Sequence, residues 1–151
     1  MPDTPVDPYF ALLLEVGIIN QIGTAFLQAR LPHGLLVSHF GVVSHLTRVN
    51  DGETPLALAR AFQVPKTTMT HTLAGLEKHG LVEIRPNPED KRSKCVWLTQ
   101  AGRKFRIDAL NALAPVLTEI SRRFPLEKVE RMLPDLAEFR AVIDRLRDEM
   151  T

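Results

Sequence analysis

The apolar residues of this chain depart from helical spacing in one stretch, between Gly80 and Gln100. That stretch constrains the fold more than any other feature. On either side, apolar side chains recur every three or four positions, which is typical of helices packed on a core. Within the stretch, residues 81–85 and 94–99 alternate apolar and polar side chains, which predicts two strands joined by residues 86–93. The sequence therefore predicts a mostly α-helical fold with one small β-hairpin.

The helical spacing defines the other elements of the predicted fold. Helices are expected over residues 8–31, 35–49, 55–62, 66–79, 99–124 and 126–150. Thr54 followed by Pro55 supplies an N-terminal cap and a proline at the first helical position, and Gly80 supplies a C-terminal stop. Pro115 and Pro134 fall inside the last two helices, where each is expected to remove a hydrogen bond and cause a kink.

The length of the chain and its cysteine content limit the class of protein. A chain of 151 residues suits one domain, which would bury roughly 70% of the unfolded surface. Its single cysteine allows no disulfide within the chain, and the short, acidic, proline-rich start is unlike a secretion signal. We expect one domain over residues 1–151, in the cytoplasm and without a cofactor.

Positive charge is concentrated in the middle third of a nearly neutral chain. The whole chain has a net charge of +1. Residues 60–106 carry 10 basic and 4 acidic side chains, a net of +6, whereas residues 1–59 and 107–151 have nets of −3 and −2. Five of the basic residues fall within the 14 positions from Lys91 to Lys104. A basic module between two mildly acidic segments suggests contact with a polyanion.

Residues 9–29 form the longest apolar stretch, 21 residues with Glu15 as the one charge. That length could cross a membrane, but the stretch also holds three amide side chains and a threonine, and no second such stretch follows. A helix that is apolar on most of its circumference is more often buried between other helices. We therefore expect a helix buried in a subunit interface, and no membrane.

A short helix, a tight turn, a second helix and a basic hairpin follow one another in the middle of the chain. This order is that of a winged helix-turn-helix, with the helix-turn-helix over residues 55–79 and the wing over residues 81–99. We expect both to belong to one DNA-binding lobe over residues 33–99. The positive tip of the hairpin suits a phosphate backbone or a minor groove.

Residues 54–106 carry motifs that resemble one known family. They include the run EKHGLV before the wing and, on the wing, DKRS at residues 90–93 followed by Val96, Leu98-Thr99 and Gly102. At this spacing the motifs resemble those of the MarR-type transcriptional regulators, and the architecture resembles that family over nearly the whole chain.

The resemblance implies an obligate homodimer that reads a palindromic operator in double-stranded DNA. Residues 8–31 and 100–150 would be the dimerisation helices, and a cleft between them and the lobe would hold a small phenolic or amphipathic ligand. His39 and Phe40 would line that cleft. The expected function is sequence-specific regulation of transcription. The protein would act as a repressor, and the ligand would relieve the repression. The apolar first helix favours the same dimer, because one small lobe cannot cover it.

Two sets of side chains are candidates for DNA contact. The second helix of the helix-turn-helix, residues 66–79, is the recognition helix, and Met69, Leu73 and Leu76 form its apolar stripe. On its first turns, away from this stripe, the candidates are Lys66, Thr67, Thr68, Thr70, His71 and Thr72. Lysine and threonine can bond phosphates, and threonine methyl groups can meet the methyl group of thymine. On the wing the candidates are Arg85, Asp90, Lys91, Arg92 and Lys94. Arg92 is expected in the minor groove, and the resemblance suggests that Asp90 holds it in place.

Two residues depart from the pattern of the family. His71 stands where relatives often have arginine, and histidine is shorter and only partly charged at neutral pH, which weakens the expected base contact. Pro65 replaces the usual capping serine or aspartate, which leaves the recognition helix without that side-chain cap.

Cys95 leaves one alternative open. Its place in the alternation puts it on the face of the strand opposite Val96 and Leu98. Basic neighbours can activate a thiol, which would suit a cysteine-based redox-sensing regulator, but a packing cysteine is favoured.

Metal and enzyme sites are not predicted. His33, His39 and His45 are spaced six apart, which turns successive side chains about 240° around a helix and away from a shared metal. The sequence lacks a glycine-rich phosphate loop and a nucleophile motif, so we expect no enzyme. A winged-helix module that binds protein is the other alternative. It would present an apolar or acidic recognition face, whereas this one carries threonine, lysine and histidine.

Overall fold

The computed structural model describes residues 6–150 of the chain. Its elements are α1 (Val6–Gln28), α2 (Val37–Arg48), α3 (Pro55–Phe62), α4 (Lys66–Lys78), β1 (Val82–Asn87), β2 (Asp90–Leu98), α5 (Gln100–Arg123) and α6 (Leu126–Met150). The two strands pair antiparallel in one sheet. The prediction of a mostly helical fold with one hairpin is confirmed.

Most helices have bounds close to the predicted ones, and α3 and α6 have the same bounds. Helix α1 ends earlier than predicted, at Gln28. The side-chain amide of Gln28 bridges to the next segment, since it donates to the carbonyl of Leu35 and accepts from the N–H of Val37, both at 3.0 Å. This pair of bonds joins the end of α1 to the start of α2.

The hairpin is longer than predicted. Residues 86–93 were expected to be a loop, but β1 continues to Asn87 and β2 begins at Asp90, which leaves a tight turn. Pro86 pairs with Lys94, and the register shifts immediately after it. Pro86 lies on β1, an edge strand of the sheet, where a proline that cannot donate a ladder hydrogen bond is tolerated.

A buried core lies where α2, α3, α4 and the hairpin meet. Val42, Leu58, Leu76 and Val96 are each fully buried there. The predicted apolar stripe of α4 faces this core. Burying one such side chain contributes about 1.5–3 kcal/mol, so the core fixes α4 against the hairpin.

The chain divides into two compact units, Met1–Leu113 and Ala114–Thr151, and the division falls inside α5. Pro115 lies next to that division, and α5 continues past it as α6 continues past Pro134. The prediction of a single domain over residues 1–151 stays a prediction.

Helices α1 and α6 each expose apolar side chains. Of the described residues of α1, Leu27 alone is buried, whereas Phe10 and Ile19 are 61% and 66% exposed. Within residues 126–150 no side chain is buried, and Leu133 is 57% exposed. By length and composition alone, α1 is also long and apolar enough to cross a membrane.

Candidate nucleic-acid interface

The helix-turn-helix is formed by α3, a short turn and α4. The Thr54 hydroxyl accepts a hydrogen bond from the N–H of Ala57 at 3.2 Å, as expected of an N-terminal cap. Gln63 ends α3 in the left-handed conformation with φ of 54°. Pro65 precedes α4 and provides no side-chain cap, so the first N–H groups of α4 have no side-chain partner at that position.

The start of α4 exposes most of the predicted DNA contacts. The exposed side chains are Lys66, Thr67, Thr68, Thr70 and His71. Thr72 differs from the prediction, because its side chain is buried and its hydroxyl donates to the carbonyl of Thr68 at 3.1 Å. Position 72 lies three residues after Met69 and four before Leu76, so the helical period places it on the core face.

Helix α2 packs against α4 through His39, which was predicted to line a ligand cleft. His39 is buried, and its Nδ1 atom accepts a hydrogen bond from the N–H of Leu36 at 2.8 Å. Its Nε2 atom lies 2.6 Å from the place where a Cβ on Gly75 would be. The pKa of His39 is lowered mainly by burial, and further by the charges of His79 and His71. His39 therefore forms part of the contact between α2 and the recognition helix.

The wing, defined as residues 81–99, is ordered by side-chain hydrogen bonds at its tip and base. At the tip, the Asn87 amide donates to the Ser93 hydroxyl at 2.9 Å. At the base, the Thr99 hydroxyl donates to the carbonyl of Gly80 at 2.6 Å. Gly102 lies so close to the wing that a Cβ there would overlap the carbonyl oxygen of Leu81. These contacts hold both ends of the hairpin.

Asp90 and Arg92 are close to each other on the second strand of the wing. The Asp90 Oδ1 atom accepts a hydrogen bond from the Arg92 backbone N–H at 2.9 Å and lies 3.5 Å from the Arg92 Nε atom. The Arg92 side chain is 93% exposed. The carboxylate thus fixes the backbone that carries Arg92 and leaves the guanidinium open to a partner.

The recognition helix and the wing together line one groove, of about 720 Å³, which we call the α4–wing groove. Its basic lining residues are Lys66 on α4 and Arg92 and Lys94 on the wing. Thr70 also lines it, as do the acidic side chains of Asp90 and Glu77. Predicted residues that are up to 28 positions apart in sequence are therefore brought to one concave surface. Sequence reasoning missed other lining residues, among them Thr54, Leu56, Asn87 and Ser93.

Arg85 does not line this groove. Its guanidinium bonds the carboxylate of Glu83, with Nε 3.1 Å from Oε2, and lies 5.9 Å from the centre of the Trp97 ring. Arg85, Glu83 and Trp97 share the face of the hairpin opposite Ile84 and Val96. Lys91 is exposed near the tip. A DNA contact by Arg85 or Lys91 stays a prediction.

Cys95 is buried, with 8% of its surface exposed. A buried thiol is a poor target for an oxidant in solution, which favours the packing cysteine over the redox sensor. Among the described residues, no group of three or more histidine, cysteine, aspartate or glutamate side chains could hold a metal ion.

Comparisons with known proteins agree with this architecture. A model of the MarR family matches residues 33–93. The transcriptional activatory protein BadR of Rhodopseudomonas palustris is 29% identical over 97 residues, which are 63% of this chain and 54% of BadR. The transcriptional regulator HosA of Escherichia coli O111:H- is 36% identical over 73 residues, 48% of this chain and 51% of HosA. The chain spans about half the length of these curated relatives.

Solved structures share the fold over most of the chain. The transcriptional regulator BldR of Sulfolobus solfataricus superposes with a TM-score of 0.77 at 21% identity, over 91% of this chain and 98% of BldR. A cysteine-to-serine variant of MarR from Escherichia coli, solved in complex with operator DNA, superposes with a TM-score of 0.72 at 24% identity, over 91% and 99% of the two chains. This family comprises transcription regulators and not enzymes. Residues 33–93 of the chain therefore resemble the MarR family, and the chain shares the fold of these solved structures.

Proposed function

We propose that the protein regulates transcription by binding a palindromic operator in double-stranded DNA. The observation that carries this proposal is the α4–wing groove, which places Lys66 of the recognition helix and Arg92 and Lys94 of the wing on one concave surface. Lysine and arginine neutralise phosphates, and arginine suits a narrow minor groove. The exposed threonines at the start of α4 supply hydroxyl and methyl groups for the major groove.

A salt titration tests this proposal. Binding to a mixed-sequence duplex should weaken steeply as salt rises, because each neutralised phosphate releases counterions, with a slope of about −0.9 per contact. A protein-binding module without a DNA interface would show no such binding at low salt. If the protein failed to bind duplex DNA at low ionic strength, the proposal would be refuted.

We further propose that the protein works as a homodimer, with a second copy covering the apolar faces of α1 and α6. The exposed apolar side chains on these helices are too many for a free surface in water. Two copies would also present two recognition helices, which must lie about 34 Å apart to enter successive major grooves of one palindrome. A dimer is therefore the smallest assembly that suits both the apolar faces and the operator. It also gives α1 an apolar environment without a membrane.

The proposed ligand is a small phenolic or amphipathic molecule that shifts the spacing of the two recognition helices. Phe40 packs edge-on against Phe105 at 6.3 Å between ring centres. The next residue is Arg106, whose Nε atom is buried and has no hydrogen-bond partner within residues 6–150. An aromatic pair suits an aromatic molecule, and an unsatisfied guanidinium N–H suits a ligand that carries an acceptor oxygen. His39 is less accessible than Phe40 for this role because it is buried against α4.

The proposed regulatory output is repression that the ligand relieves. Such a ligand must bind the released spacing more tightly than the DNA-bound spacing, by a few kcal/mol, to empty the operator. BadR is described as an activatory protein, so the sign of the output needs its own test. A reporter gene placed behind a promoter that the protein retains from genomic DNA should be silent with the protein and active with its ligand. Activation by the protein alone would contradict repression.

A further inference from the structure

The segment between α2 and α3 lies beside the second strand of the wing, as a short third strand would. We call residues 51–53 the bracing segment. Glu53 pairs with Val96 in an isolated antiparallel bridge. The Val96 N–H donates to the carbonyl of Glu53 at 2.8 Å, and the Gly52 N–H donates to the carbonyl of Val96 at 2.9 Å. The second strand of the wing is therefore hydrogen-bonded on both of its edges at this point.

The carboxylate of Asp51 extends this contact to the base of the wing. Its Oδ1 atom accepts from the N–H of Leu98 at 2.9 Å, a residue 47 positions later in the chain. The same atom accepts from the N–H of Gly52 at 3.1 Å, and Oδ2 accepts from Arg103 at 2.9 Å. One side chain thus joins the bracing segment, the end of the wing and the start of α5.

Gly52 and Glu53, the other two residues of the bracing segment, are held closely by their neighbours. Gly52 has φ of +82°, and a Cβ there would lie 2.5 Å from the indole ring of Trp97. The Glu53 carboxylate lies 3.0 Å from Nε2 of His45 on α2. The wing is therefore held along its outer edge by the bracing segment and through it by α2, which also packs on the recognition helix.

We propose that Asp51 is a positioning residue for DNA binding, which sets the angle of the wing so that Arg92 faces the same duplex as the recognition helix. Asp51 does not line the α4–wing groove, and its negative charge would oppose DNA if it acted directly. Its effect runs through the backbone of the second wing strand, from Leu98 to Arg92. This inference rests on the proposed DNA-binding function.

A merely structural Asp51 would act differently from a positioning one. Loss of global stability lowers the fraction of folded protein by the same factor in any background, so its effect on binding adds to that of every contact residue. Loss of wing position removes only what the wing contributes. The effect of Asp51 should therefore vanish once Arg92 is gone, and persist when Lys66 is gone.

The test measures affinity for a duplex that the wild-type protein selects from a random-sequence library, at one fixed salt concentration. Asp51→Ala should weaken binding about tenfold, both alone and in the Lys66→Ala background, and less than twofold in the Arg92→Ala background. Asp51→Asn should bind more tightly than Asp51→Ala, because an amide oxygen can still accept from Leu98. Asp108→Ala makes the same change in net charge on an exposed pair of α5 and should bind as the wild type does.

A readout without DNA keeps this inference separate from the proposed function. Trp97 is the only tryptophan in the chain and lies on Gly52. The emission of Trp97 should change in Asp51→Ala and stay near the wild-type spectrum in Asp51→Asn, whether or not the protein binds DNA. An unchanged spectrum, an equal loss of binding in all three backgrounds, or no loss at all would each overturn the positioning role. If Asp51→Ala fails to fold, the same cycles are run with Asp51→Ser, whose shorter side chain cannot bridge to both Leu98 and Arg103, with the same criteria.

Discussion

The Nδ1 atom of His39 accepts a hydrogen bond from the backbone N–H of Leu36, at 2.8 Å, at the start of α2. An imidazole nitrogen can accept this bond only when it carries no proton. Because His39 also packs on Gly75, the protonation state of one ring bears on the contact between α2 and the recognition helix.

We predict that stability falls as the pH falls below about 6.5, the ordinary pKa of histidine. The pKa of His39 in the folded protein is lowered, so the unfolded chain takes up the proton first as acid is added. The contribution of His39 to the free energy of unfolding is then greatest above pH 6.5. It decreases below that pH and levels off beneath the pKa of the folded protein. The slope from one proton cannot exceed about 1.4 kcal/mol per pH unit. Denaturant unfolding at pH values between about 5 and 8 measures it.

His39→Gln is the matched variant for this prediction, because glutamine can accept from the Leu36 N–H at the same position and does not titrate. It should lose the part of the pH dependence that comes from His39. His33→Gln, at an exposed histidine in the preceding turn, should keep the wild-type slope. Equal slopes in the wild type and His39→Gln would show that protonation of His39 does not control this contact.

Gly75→Ala should destabilise the protein even though alanine favours a helix by about 1 kcal/mol over glycine. The new methyl group would lie 2.6 Å from Nε2 of His39, which is buried and held by its bond to Leu36. In a His39→Ala background the same change should become neutral or stabilising, because the clash is gone. Thermal unfolding of the two single variants and the double variant measures the coupling. A Gly75→Ala protein as stable as the wild type would contradict the prediction.

The wing should depend on Asp90 as well as on Arg92. Arg92→Ala should weaken operator binding by about 1–3 kcal/mol. If the carboxylate of Asp90 orients Arg92, Asp90→Ala should also weaken binding although it adds net positive charge. The double variant should then be little worse than Arg92→Ala alone. Operator affinities of the four proteins at one salt concentration measure this. Tighter binding by Asp90→Ala, or full additivity, would leave the wing as a simple positive patch.

Lys66 supplies the comparison for the wing. As a phosphate contact at the start of α4, it should contribute to all DNA sequences about equally. Lys66→Ala should therefore weaken operator and random duplex alike and reduce the salt slope by roughly one to two per dimer. A selective loss on the operator, with random DNA unaffected, would assign Lys66 to base recognition instead.

The dimer should be obligate. Leu146 is 49% exposed on α6, and a charged residue there would place a carboxylate on the face that a second copy is proposed to cover. Leu146→Asp should give unfolded or aggregated chain, because the terminal helices lose the surface that each needs to bury. Arg145→Asp, one position away on the same helix, should remain a dimer. Sedimentation or light scattering measures the size, and a well-folded, soluble Leu146→Asp monomer would refute the obligate dimer.

The local pattern of residues determined the elements of this protein. The change from a helical spacing to alternation after Gly80 predicted the hairpin, and Thr54-Pro55 predicted the start of α3. These features depend on residues within a few positions of one another, so they can be read without knowledge of the packing. The same reasoning identified Lys66, Arg92 and Lys94, which the structure brings into one groove.

The packing between elements decided which side chains serve the site. Thr72 resembles its neighbouring threonines in sequence, yet it lies on the core face, and Arg85 is as basic as Lys94, yet it lies on the other side of the hairpin. The sequence around Asp51 carries no sign that its carboxylate bonds a residue 47 positions away. Contacts of this kind depend on how whole elements are placed in three dimensions, and residue spacing within a single element carries no record of that placement.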